Sequence, residues 1–238
     1  MSDTSAGQVA LDFVHVHVPP TDGAETRTML LLHGTGGNER DLLDLGGAIA
    51  PGARLLGVRG QVLESGMPRF FRRLAEGVFD EADIVRRATD LAAFLPAAAA
   101  AYGFDAAQVV ALGYSNGANI AAAVLLLHPG VLSGAILLRS MVPLAPSHGP
   151  VPRRTPVLIV NGRVDPIIPR ANAERLVTLL RGVGADVTMH WEPTAHGLTP
   201  ADVAVARTWL AQQRPASQRP GGLDGGVRAG LRRGTPAP

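Results

Sequence analysis

The segment Gly113-Tyr114-Ser115-Asn116-Gly117 matches the pattern G-x-S-x-G. It follows an apolar run typical of a strand and precedes an alanine-rich run typical of a helix. A tight turn between a strand and a helix can lift a serine hydroxyl above the edge of a sheet, and flanking glycines remove the Cβ atoms that would obstruct that turn. The pattern therefore predicts that Ser115 is a nucleophile, although a glycine-rich turn with an ordinary serine has the same sequence.

A serine needs a base to take its proton, and the base needs a carboxylate that orients it. On a parallel sheet the usual chain order is Ser, then Asp or Glu, then His, each after the carboxyl end of a strand. His196 stands in the loop after the last predicted strand, so it is the predicted base. The other downstream histidines fall at a helix end, in a proline-rich loop and within a strand: His128, His148 and His190.

The predicted acid is Asp165, which follows the apolar strand PVLIVNG. Glu192, at the end of a later strand, is the reserve candidate. Glu174 falls inside a predicted helix, and Asp186 begins a strand at the opposite edge of the sheet. An aspartate before proline is also common in ordinary turns, but the position after a buried strand favours the catalytic interpretation.

Two backbone N–H groups are expected to form an oxyanion hole, which stabilises negative charge on a substrate oxygen. One donor is Asn116, directly after the serine, and the other is Thr35 in the loop His-Gly-Thr-Gly-Gly at 33–37. This loop matches neither phosphate-binding pattern, G-x-x-x-x-G-K-[ST] or G-x-G-x-x-G. We expect His33 to hold the loop rather than act as a second base.

Four apolar side chains follow predicted strand ends and could line an acyl pocket: Met67, Phe70, Phe71 and Met141. Packing beneath a long loop explains them equally well. The arginines Arg69, Arg72 and Arg73 would suit an anionic substrate, but a solvated or ion-paired face is the more common explanation for such a cluster.

The sequence predicts neither a metal site nor a cofactor. His15 and His17 share one face of a predicted strand without a visible third ligand, and the chain has no cysteine for a thiolate site or a disulfide.

Strands and helices alternate along the chain, which predicts a mostly parallel sheet covered by helices on both faces. The predicted strands are 9–18, 28–33, 54–58, 108–113, 134–138, 156–160 and 186–192. The predicted helices are 39–50, 80–102 with a break near Pro96, 116–128, 170–181 and 201–212, and residues 59–79 are expected to be a loop.

The 238 residues carry a net charge of +2, but this charge is unevenly distributed. Residues 214–238 hold five Arg and one Asp, whereas 1–213 have a net charge of −2, so no basic face indicates nucleic-acid binding. We expect one domain over 1–213 and a disordered tail over 214–238, which is rich in Pro, Gly and Arg. No signal peptide or membrane span is apparent, which predicts a cytoplasmic protein. A homodimer is possible, but the sequence does not show it.

Five stretches resemble the phospholipase/carboxylesterase family of α/β-hydrolases, which includes acyl-protein thioesterases: LLHGTGGNERDLL, VRGQVLESGMPRFFRRLAEGVFDEADI, GYSNGANIAA, NGRVDPIIP and TMHWEPTAHGL. Together they span about 28–212, and the chain looks most similar to bacterial carboxylesterases of the hydroquinone-resistance type. The resemblance implies an α/β-hydrolase fold with a minimal cap or none, and it supports the assigned roles. Asn116 departs from the acyl-protein thioesterases, which usually have Gln after the serine.

These observations predict a serine carboxylesterase that cleaves small or medium acyl or aryl esters, with a small-molecule ester as its partner. A thioesterase or lysophospholipase could use the same three residues. An alternative of another class is a catalytically silent α/β-hydrolase that binds a ligand or a protein.

Overall fold

The computed structural model describes residues 11–21, 23, 25–75, 77–145 and 154–213. His148 and the predicted tail at 214–238 lie outside this part of the chain, as does the start of the predicted strand at 9–18.

The described residues form eleven strands and five α-helices. The strands are β1 (His15–Val18), β2 (Thr28–Leu32), β3 (Arg54–Val58), β4 (Val62–Glu64), β5 (Met67–Arg69), β6 (Arg73–Ala75), β7 (Val78–Phe79), β8 (Val109–Tyr114), β9 (Gly134–Leu138), β10 (Pro156–Gly162) and β11 (Asp186–Glu192). The helices are α1 (Leu43–Ile49), α2 (Glu81–Tyr102), α3 (Asn116–Leu127), α4 (Arg170–Gly182) and α5 (Pro200–Gln212), with one 3₁₀ turn at Ala106–Gln108.

Seven strands form the central sheet, in the order β1-β3-β2-β8-β9-β10-β11. All neighbouring strands are parallel except β1, which pairs antiparallel with β3 at one edge. Strands β2 and β9 are buried along their whole length, as expected for continuous apolar runs covered on both faces. The predicted α/β class and mostly parallel sheet are thus confirmed.

Two apolar cores lie on opposite faces of this sheet. Leu30 and Leu32 of β2 belong to the core that is covered by α2, α3 and α4, whereas Met29 and Leu31 belong to the core beneath α1 and α5. This alternation follows the two-residue period of a strand. Because β2, β3 and β8–β11 are parallel, their carboxyl ends lie at the same edge of the sheet, and the loops that follow them can meet there.

The predicted break near Pro96 is wrong, because α2 continues through it without interruption. Pro96 lies on the exposed face, while Leu95 and Ala98 on the opposite face are buried in the core. Packing of this apolar face offsets the hydrogen bond that proline removes.

Helix α1 begins four residues later than predicted. Asn38 Oδ1 accepts a hydrogen bond of 2.9 Å from Arg40 N, which closes a turn in place of the first helical residues.

The predicted loop at 59–79 contains two antiparallel hairpins, β4–β5 and β6–β7. Two hydrogen bonds attach this region to the rest of the protein: Gly36 N donates to Pro68 O (2.9 Å), and Arg72 N donates to Asp83 Oδ2 at the start of α2 (2.8 Å).

Within the described residues no segment forms a separate cap domain over the sheet edge. No helix in this part of the chain is long and apolar enough to cross a membrane.

Helix α3 lies unusually close to strand β2 at Gly117. A Cβ atom on Gly117 would lie 1.9 Å from Leu32 O, so only glycine permits this contact. Gly47 in α1 is the matched contrast, because a Cβ there would meet no atom within 4 Å.

Gly117→Ala should therefore lower the free energy of unfolding by about 2 kcal/mol or more, since α3 must move away from the sheet. Gly47→Ala should leave it unchanged or raise it by about 0.5 kcal/mol through helix propensity. Urea denaturation of both variants beside the unmodified protein measures this difference. Equal effects of the two substitutions would show that α3 has room to adjust.

Candidate active site

Ser115 lies in a sharp turn between β8 and α3. Its backbone has φ 51° and ψ −112°, a conformation that costs free energy in a residue with a side chain. Ser115 N donates to Leu138 O of the neighbouring strand β9 at 2.8 Å, which holds the turn in place. The serine hydroxyl is thus presented at the carboxyl edge of the sheet.

The structure brings the three residues of the predicted triad into one hydrogen-bonded chain. His196 Nε2 lies 3.0 Å from Ser115 Oγ, and His196 Nδ1 lies 2.8 Å from Asp165 Oδ2. The three side chains follow β8, β10 and β11, whose carboxyl ends share one sheet edge. Because an ionised carboxylate only accepts hydrogen bonds, this geometry suits a tautomer with the proton on Nδ1, in which Nε2 would accept from the serine hydroxyl.

Asp165 is itself held rigidly. Its side chain is fully buried, and Oδ1 accepts hydrogen bonds from Ile167 N at 2.8 Å and Ile168 N at 3.2 Å. These donors occupy one carboxylate oxygen and direct the other toward His196, so the imidazole has a fixed acceptor.

Arg139 clamps the loop that carries His196. Its guanidinium donates to Ala195 O (3.2 Å) and to Gly197 O (2.8 Å), the carbonyls on either side of the histidine. Arg139 also forms a bidentate ion pair with Asp202, with both oxygens at 2.8 Å and both side chains fully buried. Arg139 was not among the residues predicted from the sequence, although a charged residue directly after the apolar strand GAILL could have indicated a role at this edge of the sheet.

Thr35 and Asn116, the predicted oxyanion donors, both line the cavity that contains Ser115. Within the same loop Gly36 N donates to Pro68 O and Gly37 N to Gly34 O, so these two N–H groups point elsewhere. Asn116 is the first residue of α3, where backbone N–H groups have no partner within the helix. The oxyanion role of the Thr35 and Asn116 N–H groups stays a prediction, with which their position at the cavity is compatible.

Arg69 and Phe70 form hydrogen bonds with the side chains of Thr35 and Asn116, a role that was not predicted from the sequence. Arg69 Nη1 donates to Thr35 Oγ1 at 2.8 Å, and Phe70 N donates to Asn116 Oδ1 at 2.7 Å. The end of β5 and the residue after it thus hold the side chains of both residues predicted to form the oxyanion hole.

The cavity above Ser115 has a volume of about 270 Å³. Its lining comprises Thr35, Arg69, Arg73, Gly77, Phe79, Tyr114, Ser115, Asn116, Asn119, Met141, Ile167 and His196. Of the four predicted pocket residues, the structure places Met141 in this lining. Phe70 and Phe71 are instead buried in the core, where Phe70 packs against the His33 ring, so the prediction for these two is corrected. Met67 is 41% exposed and is not part of this lining.

The other histidines of the described residues that were considered in the sequence have partners away from the cavity. His190 Nε2 lies 2.9 Å from Glu192 Oε1, so the reserve acid is engaged with a different imidazole. His128 Nε2 lies 3.0 Å from Thr89 Oγ1. His15 and His17 contact Tyr102 and Arg54, and the described residues contain no group of three side chains suited to a metal ion.

His33 holds its loop, as the sequence predicts. Its Nδ1 lies 2.6 Å from Gly34 O, and its Nε2 accepts a hydrogen bond from Gly60 N at 3.0 Å. Burial lowers the pKa of His33 below the ordinary value of an imidazole, and the Gly34 carbonyl opposes this shift in part.

A parallel sheet with helices on both faces, a serine in a strained turn after a central strand, and a histidine after the last strand define the α/β-hydrolase class. Comparison with protein families matches residues 64–213 to Phospholipase/Carboxylesterase. The chain therefore belongs to the phospholipase/carboxylesterase family.

Individual relatives agree with this assignment. MhqD of Bacillus subtilis (strain 168), a hydrolase by name, is 49% identical over 190 residues, which are 80% of this chain and 95% of MhqD. The Bacillus cereus carboxylesterase structure is 48% identical with a TM-score of 0.80, over 84% of this chain and 94% of that chain. A Mesorhizobium loti carboxylesterase is 34% identical with a TM-score of 0.74, over the same shares. The expected family and fold are thus confirmed.

Asp202→Asn should lower the free energy of unfolding by about 3–5 kcal/mol, because it leaves the Arg139 charge buried without its partner. The double variant Arg139→Met, Asp202→Leu should recover part of this loss, since it removes the unpaired buried charge but leaves the carbonyls of Ala195 and Gly197 without their donor. Its rate of ester hydrolysis should stay low, because the His196 loop has lost its clamp. Urea denaturation and steady-state kinetics measure the two effects. Full activity in the double variant would contradict a positioning role for Arg139.

His33 should make stability depend on pH. Below about pH 6.5 the unfolded chain protonates this histidine while the folded protein resists protonation, so the free energy of unfolding should fall as the pH drops from about 6.5 to 5. His33→Gln should reduce that slope, whatever its effect at pH 7. Urea midpoints at several pH values measure it, and parallel curves for the two proteins would exclude this contribution.

Proposed function

We propose that this protein is a serine carboxylesterase that cleaves small or medium carboxylic esters through an acyl-enzyme on Ser115. The observation that carries the proposal is the continuous hydrogen-bonded chain from Asp165 through His196 to Ser115, which ends in a cavity at the carboxyl edge of the sheet. The family of the chain supports the same reaction class.

In the first half of the reaction, Ser115 Oγ attacks the carbonyl carbon of the ester while His196 Nε2 takes the hydroxyl proton. The carbonyl oxygen becomes negatively charged in the tetrahedral intermediate. His196 then gives its proton to the departing alcohol oxygen, and the acyl group remains on Ser115. Asp165 stabilises the imidazolium that exists between these two steps.

In the second half, a water molecule replaces the alcohol. His196 takes a proton from the water as its oxygen attacks the acyl carbon, and then returns a proton to Ser115 Oγ as the carboxylic acid leaves. The N–H groups of Thr35 and Asn116 are proposed to stabilise both tetrahedral intermediates. The charge at the N-terminus of α3 favours the same oxyanion.

The size of the cavity favours short substrates. About 270 Å³ lies just below the usual range of about 300–1,000 Å³ for small-molecule sites. The lining joins apolar side chains (Phe79, Met141 and Ile167) to polar ones. A short acyl ester suits this volume better than the long chain of a lysophospholipid. A thioester of a short acyl group would use the same chemistry, so an acyl-CoA belongs in the substrate panel.

Ser115→Ala and His196→Ala should each lower kcat for a p-nitrophenyl ester by about 10⁴–10⁶-fold, and the double variant should lose little more, because each change removes the same step. Asp165→Asn should cost about 10³–10⁴-fold, since the serine and imidazole remain but the tautomer is no longer fixed. KM should change little in all cases.

His190→Ala is the matched control, because this histidine pairs with Glu192 rather than with the serine. Its activity should be close to that of the unmodified protein. An inactive His190→Ala beside an active His196→Ala would overturn the assignment of the base. A fluorophosphonate probe should label the unmodified protein but not Ser115→Ala, and absence of labelling would favour a silent binding protein.

A further inference from the structure

Two arginines line one side of the cavity above Ser115, although sequence analysis favoured a solvated or ion-paired face for them. Arg69 is buried, with 4% of its side chain exposed, and Arg73 is about one-third exposed. Arg72, which stands between them in sequence, is 66% exposed, pairs with Asp80 and lies outside the lining. The structure therefore separates one surface arginine from two that face a prospective substrate.

The charge of this arginine pair is only partly balanced. Glu64 is the single acidic side chain that pairs with both among the described residues: its Oε1 accepts from Arg73 Nε at 2.7 Å, and its Oε2 lies 3.1 Å from Arg69 Nε. The Nε–H group of Arg69 donates instead to Phe71 O, and Glu64 Oε2 has no hydrogen-bond partner among the described residues. Among the described residues two cations thus share one carboxylate, so this part of the lining carries a net positive charge.

Other features of the cavity point the same way. The lining contains no aspartate or glutamate within the described part of the chain, and the buried Asp165 stands behind His196. Asn116 Nδ2 is buried at the cavity and has no hydrogen-bond partner among the described residues, which leaves a donor for an acceptor on a ligand. Burial also lowers the pKa of Arg69, against the opposing effect of Glu64, as expected for a cation with too little compensating charge.

We propose that the cavity selects esters that carry a carboxylate a few atoms from the scissile carbonyl, and that Arg69 and Arg73 bind this carboxylate. This proposal rests on the esterase function proposed above. A guanidinium binds a carboxylate through charge-assisted hydrogen bonds, which are stronger in a partly buried site than in water. Phe79, Met141 and Ile167 supply an apolar surface for the hydrocarbon part of such a substrate. The class includes monoesters of dicarboxylic acids and esters of hydroxy acids.

The test compares anionic esters with uncharged esters of the same shape. Monomethyl glutarate is paired with methyl 5-methylhexanoate for a carboxylate on the acyl side. Carboxymethyl butyrate is paired with isobutyl butyrate for a carboxylate on the alcohol side. The readout is the ratio of kcat/KM for the anionic ester to that for the neutral ester, measured by titration of released acid. In one of the two pairs, this ratio should fall as NaCl is raised, because salt screens the attraction.

Substitutions should change this ratio in opposite directions. Arg73→Gln should lower it about tenfold, mainly through a higher KM for the anionic ester, whereas Glu64→Gln should raise it because a competing carboxylate is removed. Arg72→Gln is the matched control and should leave the ratio unchanged. Arg69→Gln should lower the rate for both esters, since it also supports Thr35, but should lower the anionic rate further.

Ratios that are insensitive to Arg73→Gln, Glu64→Gln and salt in both ester pairs would overturn the anion site. Hydrolysis of the neutral esters that disappears in Ser115→Ala would still support the esterase function in that case. If neither ester pair is cleaved, both the anion site and the esterase function proposed for these esters fail. The two proposals therefore fail in distinguishable ways.

Discussion

The contact between helix α3 and strand β2 at Gly117 is the constraint from which the arrangement of the site follows. Because no side chain separates the helix from the Leu32 carbonyl, α3 can begin immediately after β8. The turn at Ser115 must then be sharp, which accounts for its positive φ. The same approach places the first N–H of the helix beside the loop that contains Thr35. One backbone contact thus sets the positions of the proposed nucleophile and the proposed oxyanion donors.

The three supports around the serine are independent of one another. Asp165 is fixed by backbone N–H groups of its own turn, and the His196 loop is fixed by Arg139. The loop at 33–37, which contains the proposed donor Thr35, is fixed by Arg69 and by the carbonyl of Pro68. The His196 loop is held at its backbone carbonyls, whereas Asp165 is held through its side-chain oxygen Oδ1. This arrangement is what preorganisation requires of a catalytic site.

Much of this fold could be predicted from the sequence because the strands are continuous apolar runs. Strands β3, β9 and β11 have the predicted bounds. The residues proposed for the triad were chosen by their position after strands, a local property, and the structure places them within hydrogen-bonding distance.

What sequence reasoning missed depends on contacts between distant segments. Nothing near Arg139 in the chain shows that it reaches Asp202, 63 residues away. Phe70 and Phe71 follow a hairpin whose pairing is too short to have a clear pattern, so their direction, into the core, could not be read from alternation. The break expected at Pro96 failed for a related reason, because packing of the opposite helix face decides the outcome.

The anchoring of the two hairpins has a consequence for the kinetics of turnover. Pro68 is bonded to the oxyanion loop and Arg72 to the first turn of α2, so the rim of the cavity is tied to the sheet and to a 22-residue helix. Among the described residues, the segment between Pro68 and Arg72 is fixed at both ends, so we do not expect its opening to limit substrate entry. Acylation or deacylation, rather than loop opening, would set the pace of such an enzyme.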